Sequence, residues 1–153
     1  MKNGYQTLSL DLSHLDEVVK IEQNLPDNES LVIKSTNDEI KKCLQSEMSV
    51  GIFVEGTLVS YSLCYGDDYS HTCYVEKCVT LDSHCGKGFQ SETISAVLEK
   101  AKEKGYIMAV AMVSPFNSVS LYNFGKCGFD KVTLLTNVLG TKYNRNLLEC
   151  KLK

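Results

Sequence analysis

Apolar positions along the chain follow two different periods. In "SHLDEVVKIEQ", Leu15, Val18 and Val19 share one helical face, and Ser13 with Asp16 three residues on reads as an N-cap. "TNDEIKKCLQSE" repeats the pattern, with Thr36 and Glu39 spaced as a capping box and Ile40, Cys43 and Leu44 as the apolar stripe. The period then drops to two. "SVGIFVEGTLVSYSLCYG" predicts two strands around a short turn at Glu55-Gly56-Thr57, and Val59, Tyr61, Leu63 and Tyr65 alternate along the second. "HTCYVEKCVTL" predicts a further strand ending at Asp82.

The clearest helix is "FQSETISAVLEKAKEKG". Ile94, Val97, Leu98 and Ala101 form its apolar face, Glu92, Glu99, Lys100 and Glu103 remain for solvent, and Gly105 ends it. "YIMAVAMV" is apolar almost throughout, as expected of a strand covered on both faces. Strand, long helix and buried strand make a βαβ unit, so its two strands should be parallel. "NSVSLYNFGKCG" predicts a short helix, and "DKVTLLTNVLG" with "NLLECKL" an antiparallel pair. The element order is β-α-α-β-β-β-α-β-α-β-β, an α/β chain with a mixed sheet and helices on its faces.

Composition narrows the function classes. A chain of 153 residues suits one domain spanning 1–153, with no repeat or linker. A formal net charge of −3 gives no basic field for nucleic acid. No apolar run has the length of a membrane span, and "MKNGYQTLSLDL" has no signal-peptide core. The expectation is a cytoplasmic protein with no membrane partner. Seven cysteines without a Cys-x-x-Cys pair read as free, buried thiols rather than metal ligands.

The candidate chemistry lies in "LDSHCGKGFQSET". Gly86-Lys87-Gly88 joins a strand end to a helix start, where unpaired N–H groups and the helix dipole favour an anion, particularly phosphate. The loop has neither Gly-x4-Gly-Lys-Ser/Thr nor Gly-x-Gly-x-x-Gly, since position 91 is Ser. Taken alone, it is equally a plain turn.

Its setting is more specific. "CGKGFQ" at a strand-to-helix junction, the βαβ unit, and "NSVSLYNFGKCGF" with Asn117 followed by Gly128-Phe129 resemble the GNAT superfamily of acyl-CoA-dependent N-acyltransferases. The resemblance runs over essentially the whole chain. It implies a GNAT-type fold: a mostly antiparallel sheet with one splayed parallel strand pair and helices on both faces. The implied activity is transfer of an acetyl group from acetyl-CoA, with no metal, to a primary amine of a small molecule or peptide within a ternary complex. It also implies pyrophosphate held by N–H groups from Gly86 to Ser91, a stretch that includes Lys87, Gly88, Phe89 and Gln90. The backbone of Cys78, Val79 and Thr80 would pair with the pantetheine arm, and the N–H of Thr80 or Leu81 would point at the thioester oxygen.

Cys85 stands where the family has Arg or Gln, and Gln90 where it has Gly or Ala. Neither change removes an N–H. Glu76, four residues before Thr80, sits where many members carry a glutamate and is the general-base candidate. Alternation places Tyr74, Glu76 and Cys78 on one face. His71 and His84 are the alternative bases. The cofactor-side tyrosine of many members is replaced by Phe124, seven residues after Asn117. Tyr122 lies about 200° around the helix from Phe124, so Tyr74 is the remaining acid candidate.

Thiolate departure near neutral pH costs only about 2 kcal/mol for a thiol of pKa about 8.5, so an acid is not compulsory. Phe124 and Cys85 also fit a second reading, an acetyl-CoA-binding sensor without turnover. A cysteine-based redox or metal protein is a third, and its motifs are missing. The acceptor pocket implied by the family draws on "NLPDNES" and "GTKYNRN", with Asp27, Glu29 and Asp38 as cation-attracting candidates. A homodimer is common among such enzymes.

Overall fold

The computed structural model describes residues 4–28, 33–138 and 142–153. Its elements are β1 (Gln6–Ser9), α1 (Leu15–Gln23), α2 (Asn37–Gln45), β2 (Val50–Val54), β3 (Thr57–Asp67), β4 (Thr72–Thr80), α3 (Phe89–Glu103), β5 (Met108–Val113), α4 (Ser118–Lys126), β6 (Lys131–Leu135) and β7 (Arg145–Lys151). The predicted order holds throughout.

One seven-stranded sheet runs β1-β2-β3-β4-β5-β7-β6. Among the described residues only β4 and β5 are parallel; the other pairs are antiparallel. Glu55 and Gly56 both have positive φ, 50° and 79°, which closes the β2–β3 hairpin in the left-handed backbone such two-residue turns require. The last two strands pair as expected, but β7 lies between β5 and β6.

Each face of the sheet buries one helix pair. Ile94, Val97, Leu98 and Ala101 of α3 and Phe124 of α4 pack on Cys73, Val75, Ala109, Ala111 and Leu148. On the other face Val18, Ile40, Cys43 and Leu44 of α1 and α2 pack on Phe53, Tyr61, Leu63 and Val79. That second cluster takes no residue from β5. This corrects the expectation of a strand covered on both faces: Ala109, Ala111 and Val113 are buried, whereas Met112 is exposed.

Two caps divide between agreement and correction. The Thr36–Glu39 capping box is formed, Glu39 N–H donating to Thr36 Oγ1 (3.2 Å) and Thr36 N–H to Glu39 Oε1 (3.3 Å). The first cap is Asp11 rather than Ser13, because a 3-10 turn over Leu12–His14 precedes α1 and Asp11 accepts the Ser13 N–H. Glu92 is not left to solvent; its carboxylate accepts from Tyr5 Oη and Thr7 Oγ1, each at 2.7 Å, tying α3 to β1. Among the described residues no helix is long and apolar enough to cross a membrane. All seven cysteines are free, and Cys85 is exposed rather than buried.

Candidate active site

The parallel pairing of β4 with β5 is short. It runs from Thr72↔Met108 to Val75↔Ala111 and stops. Beyond it β4 continues to Thr80 against β3, and β5 continues to Val113 against β7. Among the described residues one backbone edge of Glu76–Thr80 is therefore left without a strand partner. Leu81 donates its N–H to Val59 O (2.9 Å), which sets the alternation back along β4. The N–H groups of Val79 and Leu81 turn toward β3; those of Cys78 and Thr80 turn toward the gap. The expected Leu81 N–H donor is thus already committed to β3, whereas the Thr80 N–H is turned to the gap. Val79 presents no N–H to the gap.

A bulge re-aims the strand at the same place. Leu63 pairs with Lys77 and Cys64 with Val75, so Glu76 is an extra residue on β4. Alternation breaks there, which corrects the placement of Tyr74, Glu76 and Cys78 on one face. Tyr74 stacks on Tyr65 (centroids 5.2 Å apart), and Glu76 meets Glu39, both on the α1/α2 face. Cys78 faces α3: Ser62 Oγ lies 3.2 Å from its sulfur and 2.7 Å from Thr93 Oγ1 of that helix. Val59 breaks the alternation of β3 in the same way, since Ile52 pairs with Ser60 and Phe53 with Leu58. Val59 packs with Ile52 and Phe89, away from Tyr61 and Leu63.

A cavity of about 230 Å³ passes through the gap. Tyr65, Tyr74, Glu39 and Glu76 line its α2 side, and Asn117 and Phe124 its α4 side. Burial, with a hydrogen bond to Glu39 next, pushes the Glu76 carboxyl up to about 7, and Lys77 and Lys42 act weakly the other way. Glu39 moves down, chiefly because it accepts that hydrogen bond. Burial pushes the Tyr65 hydroxyl up to about 12, with Glu76 adding to it, so it keeps its proton near neutrality.

Beside this pair lies a largely buried ion pair the sequence did not disclose. Lys77 Nζ is 3.6 Å from Glu22 Oε2 and donates to Ile33 O. Glu22 also accepts from Tyr61 Oη (2.8 Å) and Ser35 N–H (3.1 Å). The network fixes Ile33 and Ser35 at the cavity wall.

The glycine loop has the geometry of an anion cradle. Gly86 and Gly88 take φ of 78° and 79°, and a Cβ at either would meet nothing within 4 Å, so their surfaces are open. Gly88 is the N-cap of α3 and no side chain caps the helix, leaving first-turn N–H groups to a ligand. Side chains nearby are otherwise engaged. Phe89 is buried against Tyr5. Gln90 Nε2 donates to Ser120 Oγ (2.9 Å) and its Oε1 accepts from Asn123 (2.7 Å), while Ser91 Oγ donates to Asn123 Oδ1 (3.1 Å). Gln90 thus pins α3 to α4. Lys87 is exposed. Cys85 is exposed too, its thiol near Leu81 O (3.5 Å).

Asn117 caps α4 by accepting the Ser120 N–H (3.1 Å). Phe124 is buried, packed edge-on to Phe129 (4.9 Å) with its surface at the cavity. Tyr122 is 68% exposed and points away, as the helical angle predicts. His71 sits at the far end of β4 and His84 packs beside Phe89; neither lines the cavity. Asp27 is an exposed partner of Lys34 (3.0 Å) and Asp38 is exposed outside the cavity. Glu29 and the stretch 139–141 lie outside the described residues. Among the described residues no group of three or more His, Cys, Asp or Glu is placed to hold a metal ion.

Comparison with known proteins agrees with this fold. No curated protein matches the chain. Among solved structures, the ribosomal-protein-S18-alanine N-acetyltransferase from Escherichia coli superposes with a TM-score of 0.80 at 11% identity, over 97% of this chain and 94% of that one. Ard1 from Thermoplasma volcanium gives 0.80 at 17% identity, over 98% and 99%. A putative acetyltransferase from Salmonella typhimurium, solved with its cofactor acetyl-CoA, gives 0.77 at 16% identity, over 99% and 95%. At these identities the likeness is one of fold. The model of the Acetyltransferase (GNAT) family matches residues 15–129 of the sequence itself, and the chain belongs to that family.

Proposed function

We propose that the protein is an acetyl-CoA-dependent N-acetyltransferase that acts by direct transfer on a primary amine of a small molecule or peptide. The observation that carries this reading is Glu76. A β-bulge turns it onto a cavity that runs through the β4–β5 gap, with its carboxyl poised near neutrality.

Acetyl-CoA, when bound, supplies the thioester carbonyl. Gly86, Gly88 and the open first turn of α3 suit its pyrophosphate by backbone N–H groups, and the free edge of Cys78–Thr80 suits its pantetheine arm. The N–H of Cys78 or Thr80 is the donor for the developing oxyanion; losing one such donor typically costs roughly 3 kcal/mol in the barrier. Glu76 takes the proton of the acceptor ammonium, directly or through one water. Asn117 shapes the start of α4, and Phe124 gives an apolar wall that supplies no proton. Tyr74 lies on the α2 face among the acceptor-side residues.

The sensor reading has no observation to match Glu76 in its cavity. Turnover decides between the two. Acetyl-CoA is incubated with peptide N-termini, polyamines, amino acids and aminoglycosides, and thiol release is followed. Two of the similar structures are an alanine N-acetyltransferase of a ribosomal protein and Naa50 of Arabidopsis thaliana with a CoA–peptide bisubstrate analogue, so peptides come first. For the accepted amine, Glu76→Gln should lower kcat/KM about 10²-fold or more. Wild-type kcat/KM should rise with pH through about 7. Stabilisation by acetyl-CoA with no thiol release across the panel would favour the sensor.

A further inference from the structure

We propose that Glu39 is a positioning residue for Glu76: the two carboxyls share one proton across the cavity rim, and the pair, rather than Glu76 alone, receives the proton of the acceptor amine. This rests on reading Glu76 as the base.

The geometry begins with α2. Glu39 is the third residue of the helix and is held at both ends of a capping box, its N–H on Thr36 Oγ1 and its Oε1 under the Thr36 N–H. Its carboxylate is therefore fixed in place although it is exposed at the rim. The β4 bulge turns Glu76 to the same face, and both side chains line the α2 wall of the one cavity, where each shifts the other's hold on a proton.

Among the described residues, every other charged or titratable group near Glu76 is occupied elsewhere or acts weakly. From α2, Lys42 lies over the Tyr65 ring at 3.8 Å, and Cys43 is buried. From β3, Tyr65 stacks on Tyr74. On β4 itself Lys77 is committed to Glu22 of α1 and to Ile33 O. Lys34 and Arg145 line the cavity from segment 33–35 and from β7. Among the described residues Glu39 is the other carboxyl on this cavity wall, and two adjacent carboxylates cannot both ionise freely.

The proton step balances simply. An N–H bond of the ammonium breaks, its electron pair stays on nitrogen, and an O–H bond forms on Glu76. That O–H then donates to the Glu39 carboxylate, and the pair passes from doubly to singly negative. Glu39 thus makes Glu76 a stronger base.

The test needs no acceptor. Carboxyl carbons of glutamate are labelled with 13C, assigned through the Glu76→Gln and Glu39→Gln variants, and titrated from about pH 4 to about pH 9. Gln at the third position still completes a capping box, so Glu39→Gln should keep its fold. In the wild type, each of the two carbons should show two inflections, with the Glu76 midpoint near 7. In Glu39→Gln that midpoint should fall by about one pH unit or more. An unmoved Glu76 midpoint in Glu39→Gln overturns the pairing and leaves the base reading standing, which the activity of Glu76→Gln decides separately. If Glu39→Gln does not fold, the wild-type curves decide alone: a single inflection at each carbon overturns the proposal.

Discussion

Gly88 shows how a single residue sets both stability and ligand access. Its φ of 79° is one that an L side chain reaches only at a cost of roughly 1–2 kcal/mol. Nothing lies near its absent Cβ, so Gly88→Ala meets no clash in the free protein. The same methyl would stand on the face that the proposed complex offers to the pyrophosphate. Gly88→Ala should therefore lower Tm modestly and also shrink the thermal shift given by coenzyme A. Gly56→Ala is the control, since its φ is also 79° in open space but it lies in the β2–β3 turn. It should lose comparable stability and keep the full coenzyme A shift. Equal shifts in the two variants would show that the loop does not hold the phosphate.

At the scale of elements, α1 is fastened to β4 through one charge pair. Glu22→Ala removes the acceptor of Lys77, Tyr61 and Ser35 together and leaves a largely buried lysine, its side chain 11% exposed, short of a partner. Urea denaturation should show a loss of about 3–5 kcal/mol. Adding Lys77→Met should recover part of it, because the stranded charge is then gone.

Elements are also where the sequence was most and least legible. Helices α2 and α3 could be read because their apolar stripes and caps are local, set within four residues of one another. The faces of β3 and β4 could not, because each contains a bulge whose position depends on the neighbouring strand. Val59 and Glu76 look like ordinary members of an alternating run, and only the register against β2 and β3 shows them to be extra residues. Cys78 parts from Tyr74 and Glu76 for this reason. The glycine loop and Asn117 were legible by their motif. Glu39 was legible as a cap and not as the partner of Glu76, since the two meet only through the sheet.

For the whole molecule, Glu76 ties stability to pH. Its folded-state pKa of about 7 lies above the ordinary 4.5, so the folded protein binds that proton more tightly than the unfolded chain. The stabilisation is complete below about 4.5 and is lost as pH rises to about 7, after which the curve flattens. Glu76→Gln has no such proton. Melting curves should show the variant gaining on wild type between those limits and holding a constant advantage above them. Parallel curves across the range would mean that Glu76 has an ordinary carboxyl.

The order β5-β7-β6 has a consequence for synthesis. During translation β5 emerges with only its four-residue pairing to β4, and β6 follows with no neighbour at all. Both wait for β7, which then slots between them and completes two ladders in one step. Until the ribosome has released residues through Lys151, Val110 and Met112 of β5 and Val132 and Leu134 of β6 belong to open sheet edges, which pair readily with other chains. Nascent chains stalled before Arg145 should thus be protease-sensitive and bind chaperone, and release of the last strand should close the molecule from the middle of its sheet outward.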